Sequence, residues 1–440
     1  MTTRKKDDRL CITASTKNID HAFQVLMDIL SRPSLGHLVR YIEHCQPLPG
    51  HLEYNERGFQ RELPDRDMRL RKAIQKAGFT DAHVAIKTAL LICSCKVHIL
   101  PRDGHSRYCE DCEVSDVFTT QALTALLVAV SPKLVSIAMI QPFCNFVGYY
   151  QGWGERVEYP LDKLFRAANA KPYDNPYLQN LLKFYVINEK DTADGRWYHG
   201  IDFLGCFALF DRLPSIEWVG IDILDDDGNE KPDPLRDLSN ISRICVTNSA
   251  VGSTYLAKMI VSCKALKEFQ FSIGGRACFD GYSMFNPEAF AKALCSHKAT
   301  LEFMHVGIED RVPNVSRMDR YELEGVWDIH ECPFQISDHI VGRSGSLKEF
   351  TSLKKLSLGI GLLGYFARGT GWTRGMLADW ENKNSDAQID GLRENMKSVN
   401  CNLMQVYGLD KTIPHARDVD NPDDDAGLLW KWKTIEHETK

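Results

Sequence analysis

Leu238-Ser-Asn-Ile241-Ser-Arg-Ile244-Cys-Val246-Thr-Asn248-Ser-Ala-Val251 is the stretch whose reading decides the fold. Apolar residues at 238, 241, 244 and 246 open with wide spacing and end in the alternation of a short half-buried strand. The residues that follow, Thr254 to Cys263, carry Leu256, Met259 and Ile260 at helical spacing, and a second apolar triplet then begins at Leu266 with Phe269 and Phe271. Strand, helix and strand with no hairpin signal between them predict parallel neighbours, because parallel strands need a crossover connection.

The same unit recurs along the chain. Copies stand at Val39/Ile42, Leu134/Ile137/Met139, Leu181/Phe184/Val186, Ile216/Val219/Ile221, Leu301/Met304/Val306, Leu353/Leu356/Leu358 and Leu403/Val406. The steps 216 to 241 and 241 to 266 have the period of a leucine-rich repeat, and the longer steps require insertions. Helices are predicted between the strands. Thr120 to Ala129 is stopped by Pro132, Asn286-Pro287 supplies a cap and first turn, and Ala22 to Leu30 is closed by Pro33. The expected fold is an α/β leucine-rich-repeat solenoid. It has a curved parallel sheet on its concave side, helices on its convex side and long irregular insertions.

Composition bounds the function. Of 440 residues, 44% are hydrophobic and 25% charged, as in an ordinary globular chain, which excludes disordered and collagen-like classes. The net charge of -6 disfavours nucleic acid or an anionic membrane as the main partner. The amino end lacks the apolar core of a secretory signal, and Leu123 to Val130 is far short of a membrane span. The 14 cysteines are scattered through apolar strings, a pattern of small buried hydrophobes in a reducing compartment. The expected location is therefore cytoplasmic or nuclear. Expected domains are a polar arm over 1–19, the repeats over 20–410 and an acidic tail over 411–440, with no boundary splitting the repeats.

Several stretches resemble one family: RPSLGHLVRYIE from Arg32, QALTALLVAVSPKLVSIAM from Gln121, LSNISRICVTNSAVGSTYLAKMIVSCKALKEFQF from Leu238, FNPEAFAKALCSHKATLEFMHV from Phe285 and GSLKEFTSLKKLSLGIGLLG from Gly345. They are similar to the leucine-rich-repeat proteins of filamentous fungi, a ribonuclease-inhibitor-like group whose members often carry an F-box. The resemblance implies a binding surface, used in F-box members to deliver a target to a ubiquitin ligase. The residues ahead of the first repeat-like helix are rich in Lys, Asp and Thr, so a chain with no F-box is the expectation. Either partners are bound without recruiting a ligase, or the gene model is short.

Candidate chemistry is sparse. Cys93-x-Cys95, His98, His105 and Cys109-x-x-Cys112 offer zinc-type ligands, but only the second pair has knuckle spacing, so no metal is assigned. Gly359-x-Gly361-x-x-Gly364 matches a dinucleotide fingerprint, with Asp379 near the expected offset, yet it begins inside a repeat strand and reads as turn glycines. Asp225-Asp226-Asp227-Gly228 fails the calcium-loop pattern, and Asp423 to Asp425 is an exposed acidic run. Gly342-Arg-Ser344 lacks the final glycine of a nucleophile elbow. No catalytic residue and no cofactor are assigned.

Strand alternation gives the site instead. Residues between the core positions face the other side of the sheet. One column reads Tyr185, Gly220, Cys245, Gln270, His305, Ser357 and Tyr407; its neighbour reads Lys183, Trp218, Arg243, Glu268, Phe303, Lys355 and Gln405. Trp218, Arg243, Phe303, His305, Lys355, Tyr185, Tyr407 and Gln270 are the expected partner-binding residues, since aromatic and Arg anchors carry much of binding energy. Burial of Trp218 or Phe303 under an insertion is the competing reading. The insertions at 141–177 and 311–341 could close a pocket over this face, which is the basis of an alternative reading as an enzyme or small-molecule binder.

Overall fold

The computed structural model describes residues 9–12, 16–45, 68–79, 110–143, 159–188, 199–225, 238–273, 285, 287–308, 349–358 and 405–407. Its main sheet is built from β1 (Arg9–Ile12), β2 (Tyr41–His44), β3 (Ser136–Met139), β4 (Lys183–Val186), β6 (Trp218–Asp222), β8 (Arg243–Thr247), β9 (Glu268–Ser272), β10 (Phe303–Gly307), β11 (Lys355–Leu358) and β12 (Gln405–Tyr407). These strands lie in chain order across the sheet. A separate parallel pair joins β5 (His199–Gly200) to β7 (Leu224–Asp225). The crossovers run through α1 (Thr16–Ser31), α2 (Met68–Lys76), α3 (Glu110–Ala129), α4 (Pro160–Ala170), α5 (Phe203–Phe207), α6 (Ser253–Ser262) and α7 (Pro287–Cys295). The coarse expectation of an α/β chain with an open parallel sheet is met.

The chain divides into two compact units. One comprises Met1–Lys190, Ile201–Gly220 and Trp430–Lys440; the other comprises Asp191–Gly200 and Ile221–Leu429. No such division was expected from sequence, because the division falls inside β6, between Gly220 and Ile221, where neither a linker nor a composition shift marks it.

In the first unit the apolar members of each strand point at the helices. Ile42, Ile137, Phe184 and Val219 are each at most 1% exposed. Phe184 stacks on Phe210 at 4.1 Å, and Phe165 of α4 meets the same ring at 4.7 Å. Buried Asn169 ties α4 to the turn after α5, donating to Ala208 O (2.9 Å) and Asp211 Oδ1 (2.7 Å) and accepting from Arg212 N (2.9 Å). The carboxylate of Asp202 caps α5 by accepting from Gly205 N at 2.7 Å. Two elements go beyond the sequence reading. The polar arm 1–19 contains β1, which pairs in parallel with β2, so the ladder starts before residue 20. The segment 141–177, read as a loop insertion, contains α4, a crossover helix opened by Pro160.

The second unit repeats the plan. Phe269 packs on Phe290 of α7 (5.4 Å), and Phe285 bridges Phe271 and Phe290 (6.3 and 5.1 Å). The neutral imidazole of His297 accepts from Leu266 N at Nδ1 (3.3 Å) and donates from Nε2 to Ile260 O (2.8 Å), locking α6 and the entry to β9 onto the turn after α7. Leu238, the first apolar residue of the deciding stretch, is 37% exposed, and the core side of that repeat begins at Ile241. Its backbone instead bonds Ser262 O, the start of a bridge between Ser239 and Cys263.

Two outcomes follow from this packing. Phe184→Ala is expected to lower unfolding free energy by about 3–5 kcal/mol in denaturant titration, because a fully buried ring stacked on Phe210 is lost; a loss under about 1 kcal/mol would contradict the shared core. His44 is also fully buried. The hydroxyl of Thr124 donates to Thr120 O (2.7 Å) and so accepts from His44 Nδ1 (3.0 Å), while burial pushes the imidazole from 6.5 down to about 3. An imidazole kept neutral when folded but protonated when unfolded supports the fold fully above pH 6.5 and progressively less as pH falls toward about 3. His44→Asn should therefore remove about 1.4 kcal/mol of acid sensitivity per pH unit below that value, read as the difference in unfolding free energy between variant and wild type across a pH series. Parallel pH profiles would show that His44 does not titrate this way.

Candidate functional site

Register places the expected columns. In the second unit, Arg243 pairs with Glu268, Glu268 with Phe303, Phe303 with Lys355 and Lys355 with Gln405. Two residues further on, Cys245, Gln270, His305, Ser357 and Tyr407 are likewise aligned. Paired residues on parallel strands point to the same face, so each column is a row of side chains one strand spacing apart, about 4.8 Å. Tyr407 is placed by its backbone pairing alone.

The two rows differ in exposure. The outer row is half-exposed to exposed: Arg243 and Glu268 are 43% and 40% exposed in their side chains and form an ion pair at 3.5 Å, Phe303 is partly open, and Lys355 is exposed. The inner row is largely closed. Cys245 and His305 are each 7% exposed and Ser357 is 3% exposed, while Gln270 keeps partial access. His305 Nδ1 lies 2.8 Å from Ser357 Oγ, which satisfies both groups across β10 and β11. His305 thus supports the face from beneath more than it presents to solvent.

A third row, missed in the sequence, completes the polar face of this unit: Asp222, Thr247, Ser272 and Gly307. Oδ1 of buried Asp222 accepts from Thr247 Oγ1 (2.9 Å) and Asn248 Nδ2 (2.8 Å), and Ser272 Oγ accepts from Asn248 N (3.0 Å). Asn248 has φ 49, a left-handed conformation that asparagine tolerates. The legible signal was continued alternation: Asp222 follows Trp218 and Gly220 by the same two-residue step.

In the first unit, β4 and β6 bring Tyr185 beside Trp218, with near-parallel rings at 6.1 Å and 13°. The indole folds back over its own strand and lies where a side chain at Gly220 would stand. Glycine is required there for close approach, not for an unusual φ. Tyr185 is 5% exposed and Trp218 is partly open, so the pair offers one accessible ring backed by a buried one.

Other candidates lie elsewhere. Cys93, Cys95, His98, His105 and Cys109, the glycine motif from Gly359, Asp379, Ser344 and Asp423 to Asp425 are outside the described residues, as is the side chain of Cys112. Among the described residues no group of three or more His, Cys, Asp or Glu is arranged to hold a metal. Among the described residues, too, no helix is long and apolar enough to cross a membrane. No family model, curated protein or solved structure matches the chain.

Gly220→Ala should displace the Trp218 indole, because the added Cβ overlaps it. With 5-fluorotryptophan incorporated, the fluorine resonance assigned by Trp218→Phe is expected to shift in the glycine variant while the far-ultraviolet spectrum is kept. An unmoved resonance would place the ring away from Gly220.

Proposed function

We propose that this chain is a non-catalytic binding protein of the leucine-rich-repeat solenoid type, which holds a protein partner on the face opposite its helices. The observation that carries the reading is the outer row. Within the second unit, Arg243 and Phe303 are partly exposed and Lys355 is exposed; within the first, Trp218 is partly exposed on its own strand. Large aromatic side chains on strands lose little freedom on binding, and aromatic and Arg anchors are the usual make-up of an interface's energetic centre. The inner rows back them with internally bonded or buried groups.

The narrower version, recognition of a target for a ubiquitin ligase, comes from the resemblance to fungal leucine-rich-repeat proteins. A cytoplasmic or nuclear setting fits cysteines scattered through apolar strings, such as Cys206, Cys245 and Cys263, which are buried like small hydrophobes. The second reading, an enzyme or small-molecule binder, draws on the 2.8 Å contact between His305 and Ser357. Burial of both residues disfavours it, since a nucleophile and base must meet substrate.

The test is affinity purification with the intact chain beside a Trp218→Ala, Arg243→Ala, Phe303→Ala triple variant and a control altered at exposed Lys72 and Lys163. Partners bound through the outer row should fall at least about tenfold with the triple, the effect of losing roughly 1.4 kcal/mol, and stay constant with the control. Unchanged recovery of every partner would remove this face as the binding surface.

A further inference from the structure

Among the described residues, the edge of the second unit from which its strands start is positive, although the chain as a whole carries -6. The residues just before the strands are laced together by their backbones: Lys267 N donates to Ser242 O, Glu302 N to Lys267 O, and Lys354 N to Glu302 O. Their side chains are therefore spaced by about one strand separation, roughly 4.8 Å. Lys264, Lys267, Lys298, Lys354 and Lys355 are exposed along this edge, with Arg243 half-exposed beside them.

Three carboxylates are interleaved, and each has a cation of its own. Arg243 faces Glu268 at 3.5 Å, Lys354 faces Glu302 at 2.7 Å and Lys298 faces Glu349 at 3.2 Å. Among the described residues, Lys264, Lys267 and Lys355 are the surplus over these pairs; Lys264 Nζ donates to the neutral Asn240 Oδ1 at 2.6 Å. The field of this edge registers on Glu302. The hydrogen bond from Lys354, then the charges of Lys354, Lys267 and Arg243, hold its carboxyl below the usual range against the opposing effect of burial. Partly open Phe303, between Glu268 and Lys355 in the same row, adds an apolar contact within the charged patch.

We infer that this edge is a docking surface for an acidic peptide segment of a partner protein, whose carboxylates meet Lys264, Lys267 and Lys355 while an apolar side chain rests on Phe303. The inference builds on the binding role proposed above and specifies the partner's chemistry. Charge complementarity favours a peptide over nucleic acid. Glu268, Glu302 and Glu349 recur through the patch and would repel a continuous phosphate backbone, whereas separated carboxylates can fit between them.

The test uses the full chain and three fluorescent probes: an acidic octapeptide containing one phenylalanine, its Gln/Asn counterpart, and an oligothymidylate of matched charge. Fluorescence anisotropy should show binding of the acidic peptide, weakening at least about tenfold between roughly 50 and 200 mM salt. A Lys264→Glu, Lys267→Glu, Lys355→Glu variant should lose at least about tenfold in affinity. A Lys72→Glu, Lys76→Glu, Lys133→Glu variant, reversed at exposed sites of the first unit, should bind like wild type. Both variants should keep the wild-type circular dichroism, since every altered side chain is exposed. Equal binding of the neutral peptide, equal losses in both variants, or tighter binding of the oligothymidylate with the same residue dependence would overturn the inference. If a partner captured through the outer row survives the reversal at 264, 267 and 355, the acidic chemistry fails and the binding role stands. If neither a partner nor the acidic peptide binds, both fail.

Discussion

In-register pairing of parallel strands is the constraint on which the remaining structure depends. Once Phe303 is opposite Lys355 and Met304 opposite Leu356, each alternate residue is committed to the helix face or the opposite face. A slip of one residue would exchange the two sets and bring Lys355 into the core. The apolar residues resist that slip: Ile244, Val246, Phe269, Phe271, Met304, Val306 and Leu356 are each at most 1% exposed. Parallel pairing also obliges each connection to cross the sheet, which is why helices recur between strands and why Phe165, Phe210 and Phe290 are available to cover the apolar face.

The same constraint creates the polar face. Side chains that cannot enter the helix-side core line up in rows, and each row solves its burial differently. The closed inner row pairs His305 with Ser357, and the third row gathers Thr247 and Asn248 on one oxygen of Asp222. Such bonds offset the cost of removing polar groups from water and fix side-chain positions. The outer row spends less on internal contacts; its ion pair between Arg243 and Glu268 is half-exposed and contributes little to stability. A row that is rigid in backbone, varied in chemistry and lightly engaged is suited to recognition.

Legibility in the sequence tracked the apolar triplets. Ile244 with Val246 and Phe269 with Phe271 announce their strands because alternation and burial coincide. The helix expected over Thr254 to Cys263 is found at Ser253–Ser262 for the same reason. Leu238 misled because an apolar residue one turn before a strand can sit on the surface. The strand Arg9–Ile12 was hidden in a polar arm, since its place depends on pairing with Tyr41–His44 and not on a pattern of its own. Column membership of Tyr185 and His305 was legible, whereas their burial was not, because exposure depends on neighbours such as Trp218 and Ser357 folding across them. His297 shows the limit most clearly: its role is a pair of bonds to Leu266 and Ile260, more than thirty residues away.

Disulfide trapping across β10 and β11 tests the ladder most directly, because neighbouring strands lie within the distance a disulfide spans. Double cysteine variants at 303/355 and 305/357 should cross-link on mild oxidation, as identified by peptide mass spectrometry, and variants at 303/357 and 305/355 should not. Cross-linking of the second pair of variants in place of the first would mean antiparallel strands, and the rows on which the proposed binding face is built would not exist.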